Sequence, residues 1–360
     1  GSVSVNPDFY PVNFNYINTM LPFAFGAEVN MYWHFRAHYA GPELMHSAVL
    51  TSQGKPVHTF DEITDAAETL EKCGEFLTGF RPSEPLFALS FSSAAFNMFE
   101  GQKIVAGFNY TESVTDCYNS LLKAGITPHI HNPNRGLEGL KVLFSPFLIS
   151  LEEGDFPARL KKWIENGGVW IAGPLTDIRN KFCAKYKVFV HGLIEELTGM
   201  ENLYQLPAGS MENTLEFEDG GVSKSFIWND VFNASSRHKV IARYRSENVR
   251  IDGKAAVVSC KVDKGEVIAL GAMPEEEFLV KIIKDRLEKV GALPEISHSP
   301  NVLTLRRGKG QKTGYCIAEL FDRAGYIDLD CEYTDVSNGR TLRGRTEIKP
   351  YGFLCLEKRE

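Results

Sequence analysis

The sequence predicts an α/β protein in which a doubly wound α/β domain is followed by a small all-β sandwich domain. Two observations carry this prediction. From residue 86 to residue 172, short apolar runs alternate with amphipathic helical patterns, which is typical of a mainly parallel sheet with helices on both faces. From residue 296 onward, only short alternating runs separated by turns remain, as in a small β-module.

A strand, a loop and a helix are expected ahead of the α/β domain. Residues 16–21 favour a short helix that runs towards Phe25. The β-branched and aromatic run from Val29 to Phe35 predicts a strand that ends at Arg36. After a polar loop, apolar side chains recur at helical spacing from residue 61 to residue 76. This part of the chain therefore reads as one βα unit.

Prolines at 82 and 85 mark a boundary, beyond which strands and helices alternate. The predicted strands are 86–91, 127–131, 140–145, 169–172, 239–244, 255–261 and 266–271, and the predicted helices are 111–124, 156–166, 189–197 and 275–290. Asp263-Lys264-Gly265 between two apolar runs predicts a hairpin over 257–270. The domain is expected to end near residue 292.

The C-terminal β-module is predicted from five short alternating runs. They are 302–306, 313–320, 326–332, 346–349 and 353–357. The basic stretch Arg306 to Lys309 between two of them indicates a solvated turn.

Composition excludes several classes of protein. The formal net charge of −7 argues against a dominant nucleic-acid or membrane-surface role, because both need a concentrated basic face. No apolar run reaches the roughly 18–20 residues of a membrane helix. The seven cysteines have no CxxC pair and indicate reduced thiols of a cytoplasmic protein, not a disulfide framework or a zinc site.

The densest set of polar and aromatic side chains follows the predicted strand at 29–36. In a strand, Trp33 and Phe35 point to one side and His34 to the other. Aromatics at a strand end, followed by Glu43 and His46 in the next loop, suit a sugar site in which rings cover the pyranose and polar groups bind its hydroxyls. The alternative is that Glu43 and His46 form a structural pair and the aromatics belong to the core.

Other candidates are weaker. No GxGxxG, GxxxxGK[ST], GxSxG or GxCxG motif follows a predicted strand, so neither a nucleotide cradle nor a nucleophile elbow is indicated. His129 and His131 lie on one strand face at a spacing that can bind metal, but a partly exposed strand end is the favoured interpretation. We therefore predict no cofactor and no metal.

Two segments resemble glycoside hydrolase family 42 β-galactosidases. They are YWHFR at 32–36 and AGPELMHSA at 40–48, which match the family pattern F-x-W-R-x-x-x-A-G-x-E-x-x-H-x-A at the last barrel strand and its loop. The segment PYGFLCLE at 350–357 is similar to the closing strand of the family. Between these segments the resemblance is one of architecture.

The resemblance implies roles for five residues. Glu43 and His46 would hydrogen-bond galactose hydroxyls, Trp33 would form an aromatic wall, and Arg36 would brace the strand end. Phe35, where the family usually has Trp, completes the implied substrate-binding set.

The resemblance also implies three domains and an assembly. Residues 1–80 would be the last βα unit of an incomplete (β/α)8 barrel, 81–293 a flavodoxin/glutamine-amidotransferase-like trimerisation domain, and 294–360 the β-sandwich. The implied partners are a galactoside and two further copies in a homotrimer.

Family members are retaining enzymes that use two glutamates. The resemblance places both upstream of the strand, and neither Glu28 nor Glu43 fits these roles. The 360 residues alone are therefore expected to be inactive. A stand-alone assembly or carbohydrate-binding module is the main alternative, and an amidotransferase-type enzyme with a reactive cysteine is a third hypothesis.

Overall fold

A computed structural model of the chain describes residues 10–44, 46–187, 192–208 and 213–359. By contact, the described residues form two compact units. The first unit combines the residues up to Ser83 with those from Pro294 onward, and the second covers Glu84–Leu293. The division into three domains stays a prediction.

Helices occur in both units. Among the described residues they are α1 (Phe14–Ala24), α2 (Phe60–Gly79), α3 (Ser93–Gly101), α4 (Tyr110–Lys123), α5 (Phe156–Glu165), α6 (Gly192–Thr198) and α7 (Glu276–Lys289). The predictions of α2, α4, α5 and α7 are confirmed. The predicted start of α6 at Phe189 lies outside the described residues, and α3 was not predicted. In the part of the chain that is described, no helix has the length and apolarity needed to span a bilayer.

Strands make up most of the remaining regular structure. They are β1 (Arg81–Pro82), β2 (Phe87–Ser90), β3 (His129–His131), β4 (Val142–Ser145), β5 (Val169–Ala172), β6 (Glu201–Pro207), β7 (Thr214–Phe217), β8 (Val222–Lys224), β9 (Trp228–Asn233), β10 (Lys239–Arg245), β11 (Ala255–Val262), β12 (Gly265–Leu270), β13 (Ser297–His298), β14 (Val302–Lys309), β15 (Lys312–Glu319), β16 (Gly325–Asp335), β17 (Thr341–Ile348) and β18 (Phe353–Lys358).

The second unit is built on one mixed sheet. Its parallel part has the order β3-β2-β4-β5-β12, which is the 2-1-3-4-5 order of flavodoxin-like sheets. Helices on both faces of this sheet stay a prediction. The predicted β11–β12 hairpin is confirmed, with Val257 opposite Leu270.

The mainly parallel sheet predicted from residues 86–172 does not extend beyond β12. There, β11, β10, β7 and β8 follow one another with antiparallel pairing, and β9 joins β11 to β6 in the same manner. Most of these strands follow one another without an intervening helix, and only crossover connections allow parallel neighbours.

At the centre of the sheet, the core of the second unit includes three polar side chains that are hydrogen-bonded to one another, those of Ser90, Ser145 and Trp170. The Ser90 and Ser145 hydroxyls lie 2.9 Å apart in the buried layer, and Trp170 Nε1 donates to Ser145 Oγ over 3.1 Å. The two serines therefore impose no unpaired group on the apolar interior.

The first unit packs two helices on a seven-stranded sheet. The order is β1-β14-β15-β18-β16-β13, and β17 pairs with β16. Helix α1 contacts α2 and β15, and α2 contacts β18. Gly314 on β15 permits this approach, because a Cβ there would lie 2.6 Å from the Phe76 ring.

A sandwich of two separate sheets is not found in the described part of this unit. Its strands belong to one hydrogen-bonded sheet, because the 11-residue strand β16 pairs with both β17 and β18. An irregularity between Leu329 and Tyr333 divides β16 into two paired segments.

The predicted solvated turn at 306–309 is wrong, since these residues end β14. Arg307 is only 1% exposed. Its guanidinium donates to the carbonyls of Phe23 and Ala24 at the end of α1, and to those of Leu77 and Phe80 at the end of α2. The last carbonyls of a helix lack helical partners and carry partial negative charge, so Arg307 satisfies both helix ends at once.

Candidate functional site

The predicted strand over residues 29–36 is wrong in this structure. Its one strand-like feature among the described residues is an isolated bridge between Arg36 and Leu50. A strand is defined by hydrogen bonds to a neighbour, and the sequence run alone cannot provide that neighbour. The β-branched and aromatic composition therefore does not by itself produce a paired strand.

The alternation of side chains expected for this run is not found, because Tyr32 and Arg36 are exposed and His34 alone is buried. Trp33 and Phe35 are 69% and 63% exposed, whereas His34 between them is only 6% exposed. The Tyr32 hydroxyl lies 2.6 Å from Thr19 Oγ1. The aromatic pair thus faces solvent and does not form part of a core.

Backbone hydrogen bonds fix the segment after Trp33 against the loop at 49–57. Val49 N donates to His34 O, Leu50 N to Phe35 O, and Ala37 N to Leu50 O, over 2.8–3.2 Å. The Arg36 guanidinium donates twice to the Ser52 carbonyl, over 2.7 and 3.1 Å. Arg36 therefore holds the loop that follows the site.

A turn brings Glu43 and His46 towards the same segment. His46 N donates to Glu43 O over 3.1 Å, and the His46 ring centre lies 5.2 Å from that of Trp33. In the described part of the chain, no hydrogen bond joins the Glu43 and His46 side chains, and His46 Nδ1 is buried without a partner. The structural pair considered from the sequence is therefore not formed.

Glu43 instead faces His34 and His38, two histidines to which no role is assigned from the sequence. Glu43 Oε2 lies 3.2 Å from His34 Nε2 and 3.8 Å from His38 Nε2. The ligand atoms of these three residues all lie within 4.8 Å of one another. The H-x3-H-x4-E spacing was the available signal, but only the tertiary fold shows that the three side chains meet.

A cavity of about 400 Å³ lies beside this loop but does not include the predicted ligands. Segment 26–32 and helices α1 and α2 line it, largely with apolar side chains such as Phe23, Leu70 and Leu77. The candidate residues thus occupy an open loop, and an enclosed sugar pocket is not formed by them alone.

His129 and His131 do not come together as a metal site. His131 is buried, and its Nε2 lies 3.3 and 3.2 Å from the carbonyls of Arg135 and Gly136, whereas His129 is exposed. Burial lowers the pKa of His131. His131 therefore contacts the backbone of the loop at 135–136 and has a structural role.

The residues after β4 argue against amidotransferase chemistry. A catalytic nucleophile in such a domain stands on a strained turn that follows a strand. At the corresponding turn after β4, the residue with positive φ is Phe147, with a φ of 54°, and its side chain is fully buried. All seven cysteines are free, and none follows directly on a strand that leads into a helix. Burial also raises the pKa of Cys117 to about 12, which makes its thiol unreactive.

Comparisons with known proteins connect both units to one family. Residues 87–292 match the family described as the β-galactosidase trimerisation domain. β-Galactosidase YesZ of Bacillus licheniformis is 27% identical over 341 residues, which cover 93% of this chain and 50% of that protein. YesZ of Bacillus subtilis is 21% identical, over 99% of this chain and 54% of that protein. The chain spans about half the length of these relatives.

Solved structures show the same fold. The β-galactosidase from Bacillus circulans sp. alkalophilus superimposes with a TM-score of 0.87 at 19% identity, covering 97% of this chain and 52% of that chain. A catalytic mutant of Gan42B, a GH42 β-galactosidase from G. stearothermophilus, gives 0.87 at 19% identity, covering 98% and 51%. Because the trimerisation-domain match spans more than half of the sequence, this chain belongs to the glycoside hydrolase family 42 β-galactosidases, and it matches their C-terminal portion.

Proposed function

We propose that this chain supplies the galactose-binding loop of a retaining β-galactosidase. The observation that carries the proposal is the convergence of Trp33, Glu43 and His46 on one loop, where the two rings lie 5.2 Å apart. An aromatic face beside a carboxylate and an imidazole suits a pyranose, whose apolar face stacks while its hydroxyls bind polar groups. The names of the two YesZ proteins and of LacZ from Heyndrickxia coagulans, each called a β-galactosidase, support the choice of sugar.

In this proposal the loop binds and orients the sugar, and it does not break the glycosidic bond. Glu43 accepts hydrogen bonds from sugar hydroxyls, His46 uses its unpaired Nδ1, and Trp33 covers the ring. Arg36 keeps the loop in place through Ser52. Phe35 is exposed beside Trp33 and extends the aromatic surface.

The nucleophile and the acid/base are proposed to be glutamates outside these 360 residues. A retaining mechanism needs two carboxyl groups about 5 Å apart on either side of the bond. Glu28 is paired with Arg81 over 2.9 Å, and Glu43 faces two histidines, so among the described residues neither is paired with a second carboxylate.

The barrel remnant at residues 1–80 and the cytoplasmic location stay predictions.

The proposal can be tested in a longer polypeptide that carries these residues and both glutamates. It should hydrolyse a chromogenic β-galactoside, whereas the 360-residue chain should not. Glu43→Gln should lower kcat/KM by roughly 10–100-fold, because a hydrogen bond to a charged group is lost. The matched control is Glu28→Gln, which should leave kcat/KM unchanged.

Two results would contradict the proposal. Turnover by the 360-residue chain would show that it contains a catalytic pair, and an unchanged kcat/KM in Glu43→Gln would remove Glu43 from the sugar site.

A second role concerns assembly. More than half of the chain matches the trimerisation domain, and this favours a homotrimer formed through residues 87–292. A stand-alone assembly module would need only this property, whereas a stand-alone carbohydrate-binding module would need only the sugar-binding loop. Sedimentation equilibrium of the 360-residue chain should give three times the mass of one chain, and a monomer at all concentrations would contradict the assembly role.

A further inference from the structure

The three side chains of His34, His38 and Glu43 have the spacing of metal ligands. In a tetrahedral zinc site with bonds of about 2.1 Å, ligand atoms lie about 3.4 Å apart. Glu43 Oε2 lies 3.2 Å from His34 Nε2 and 3.8 Å from His38 Nε2, close to this value on two of the three edges. The third edge, which joins the two histidines, is within 4.8 Å and can shorten by rotation of the exposed His38.

His34 shows that the cluster is more than a group of surface charges. Its side chain is only 6% exposed, yet Nδ1 has no partner among the described residues, and Nε2 has no hydrogen bond there but only the 3.2 Å contact with Glu43 Oε2. Leaving a buried polar atom unpaired costs roughly 1–3 kcal/mol. A bound cation would satisfy Nε2, which points towards the Glu43 carboxylate.

The backbone holds His34 in this position independently of any ligand. Val49 N donates to His34 O, and Leu50 N donates to the next carbonyl, that of Phe35. The Trp33 ring lies beside the His34 ring, at 3.8 Å between centroids. The buried ligand is thus fixed, while the two exposed ligands can adjust to the ion.

We propose that His34, His38 and Glu43 bind a late first-row divalent cation such as Zn²⁺. Two imidazoles and one carboxylate are a donor set suited to Zn²⁺, whereas Mg²⁺ and Ca²⁺ require oxygen ligands. Three protein ligands leave the fourth tetrahedral position open for water. The proposal goes beyond galactoside binding and does not depend on it, because the ion can be titrated without sugar. Both histidines lie against Oε2 of Glu43, so Oε1 remains for the sugar hydroxyl assigned above.

The competing explanation is a simple ion pair between a protonated His34 and Glu43. It predicts no metal binding at this loop. Metal binding measured on the 360-residue chain therefore separates the two explanations without reference to glycosidase activity.

The experiment titrates the chelator-treated chain with Zn²⁺ by calorimetry and with Co²⁺ by absorption spectroscopy. One high-affinity equivalent is expected, with the d–d bands of a four-coordinate Co²⁺ site. His38→Ala and Glu43→Gln should each weaken binding by at least the ~10–100-fold that loss of an outer-shell partner costs. His129→Ala, an exposed histidine in the other unit, is the matched control and should bind normally.

Circular dichroism should show that each variant is folded, because the side chains of His38 and Glu43 are 46% and 36% exposed. Absence of a zinc-binding equivalent in the unaltered chain would overturn the proposal. Equal affinity in His38→Ala, Glu43→Gln and the control would overturn it too, because the ion would then be bound elsewhere. A galactosidase result has no bearing on either outcome.

Discussion

Arg307 and His34 are two buried polar side chains of the same unit with opposite surroundings. Arg307 donates four hydrogen bonds to backbone carbonyls at the ends of α1 and α2. His34 is almost as buried, but its Nδ1 has no partner in the described part of the chain, and its Nε2 has only the 3.2 Å contact with Glu43 Oε2. The two residues therefore differ in how completely their polar atoms are paired.

The positions of the two side chains are fixed in different ways. The charge of Arg307 is compensated by the partial negative charge of the carbonyls at two helix ends. The position of His34 depends on main-chain hydrogen bonds made by its neighbours and not on its own ring. Substitution of the two residues should therefore affect stability very differently.

The largest effect is expected for Arg307→Met. The change removes four hydrogen bonds from the carbonyls of both helix ends, of which, among the described residues, Phe23 O alone keeps a recorded second donor, Gly26 N, so the unfolding free energy of the first unit should fall by about 3–5 kcal/mol. Urea unfolding measured by circular dichroism checks this value. Arg306→Met is the matched control, because Arg306 is half exposed and its pair with Glu295 should contribute less than about 1 kcal/mol. Similar losses in the two variants would contradict the role of Arg307.

An intermediate case is Asp230, which is buried in the second unit but well paired. Leu175 N, Asn202 Nδ2 and Trp228 Nε1 all donate to its carboxyl group. Burial raises the pKa of Asp230 to about 6, although these hydrogen bonds act in the opposite direction. The folded chain therefore binds this proton more tightly than the unfolded chain, where the pKa of Asp is about 3.9.

The sign of the pH dependence follows from this difference. The unfolding free energy should fall as pH rises from about 4 to about 6, by roughly 3 kcal/mol from Asp230. Asp230→Asn should remove this part of the slope in urea unfolding measured between pH 4 and pH 7. Asp177, whose pKa burial raises to about 7, should account for part of the slope that remains.

Asp219→Asn is the control for Asp230. The Lys281 ammonium lowers the pKa of the exposed Asp219, so its substitution should leave the slope above pH 4 unchanged. An Asp230→Asn profile parallel to that of the unaltered chain would show that Asp230 is ionised at all these pH values.

The smallest effect is expected for His34→Leu. The substitution removes the contact with Glu43 but no hydrogen bond, and the leucine side chain still fills the buried position. The unfolding free energy should therefore stay within about 1 kcal/mol of the unaltered chain or rise. The measurement is made with a chelator present, so that a metal contributes nothing. A loss as large as that of Arg307→Met would show that His34 has an undetected structural partner.

Local patterns were enough to predict much of the fold. Helices α2, α4, α5 and α7 have long amphipathic patterns, and β5 coincides with its apolar run at 169–172. In the antiparallel half of the large sheet only the β11–β12 hairpin was predicted, because the partners of the other strands depend on connections that periodicity does not encode. The same limitation applies to Arg307, which appears in the sequence as one of three basic residues in a row of four.

The site was predictable in composition but not in geometry. Trp33, Glu43 and His46 were selected from their order along the chain, and the structure brings them onto one loop. The two histidines that face Glu43 were missed, since His34 looked like one more residue of a strand. Whether a polar atom is left unpaired is a property of packing, so it is visible only in three dimensions.

The most direct test of the account is the His46→Ala variant of a longer polypeptide that carries this chain and both catalytic glutamates. His46 Nδ1 is unpaired in the structure, and we assign it to a galactose hydroxyl. The account predicts a kcat/KM for a chromogenic β-galactoside that falls by roughly 10–100-fold while the unfolding free energy changes by less than about 1 kcal/mol. An unchanged kcat/KM, or a loss of activity that accompanies a large loss of stability, would contradict it.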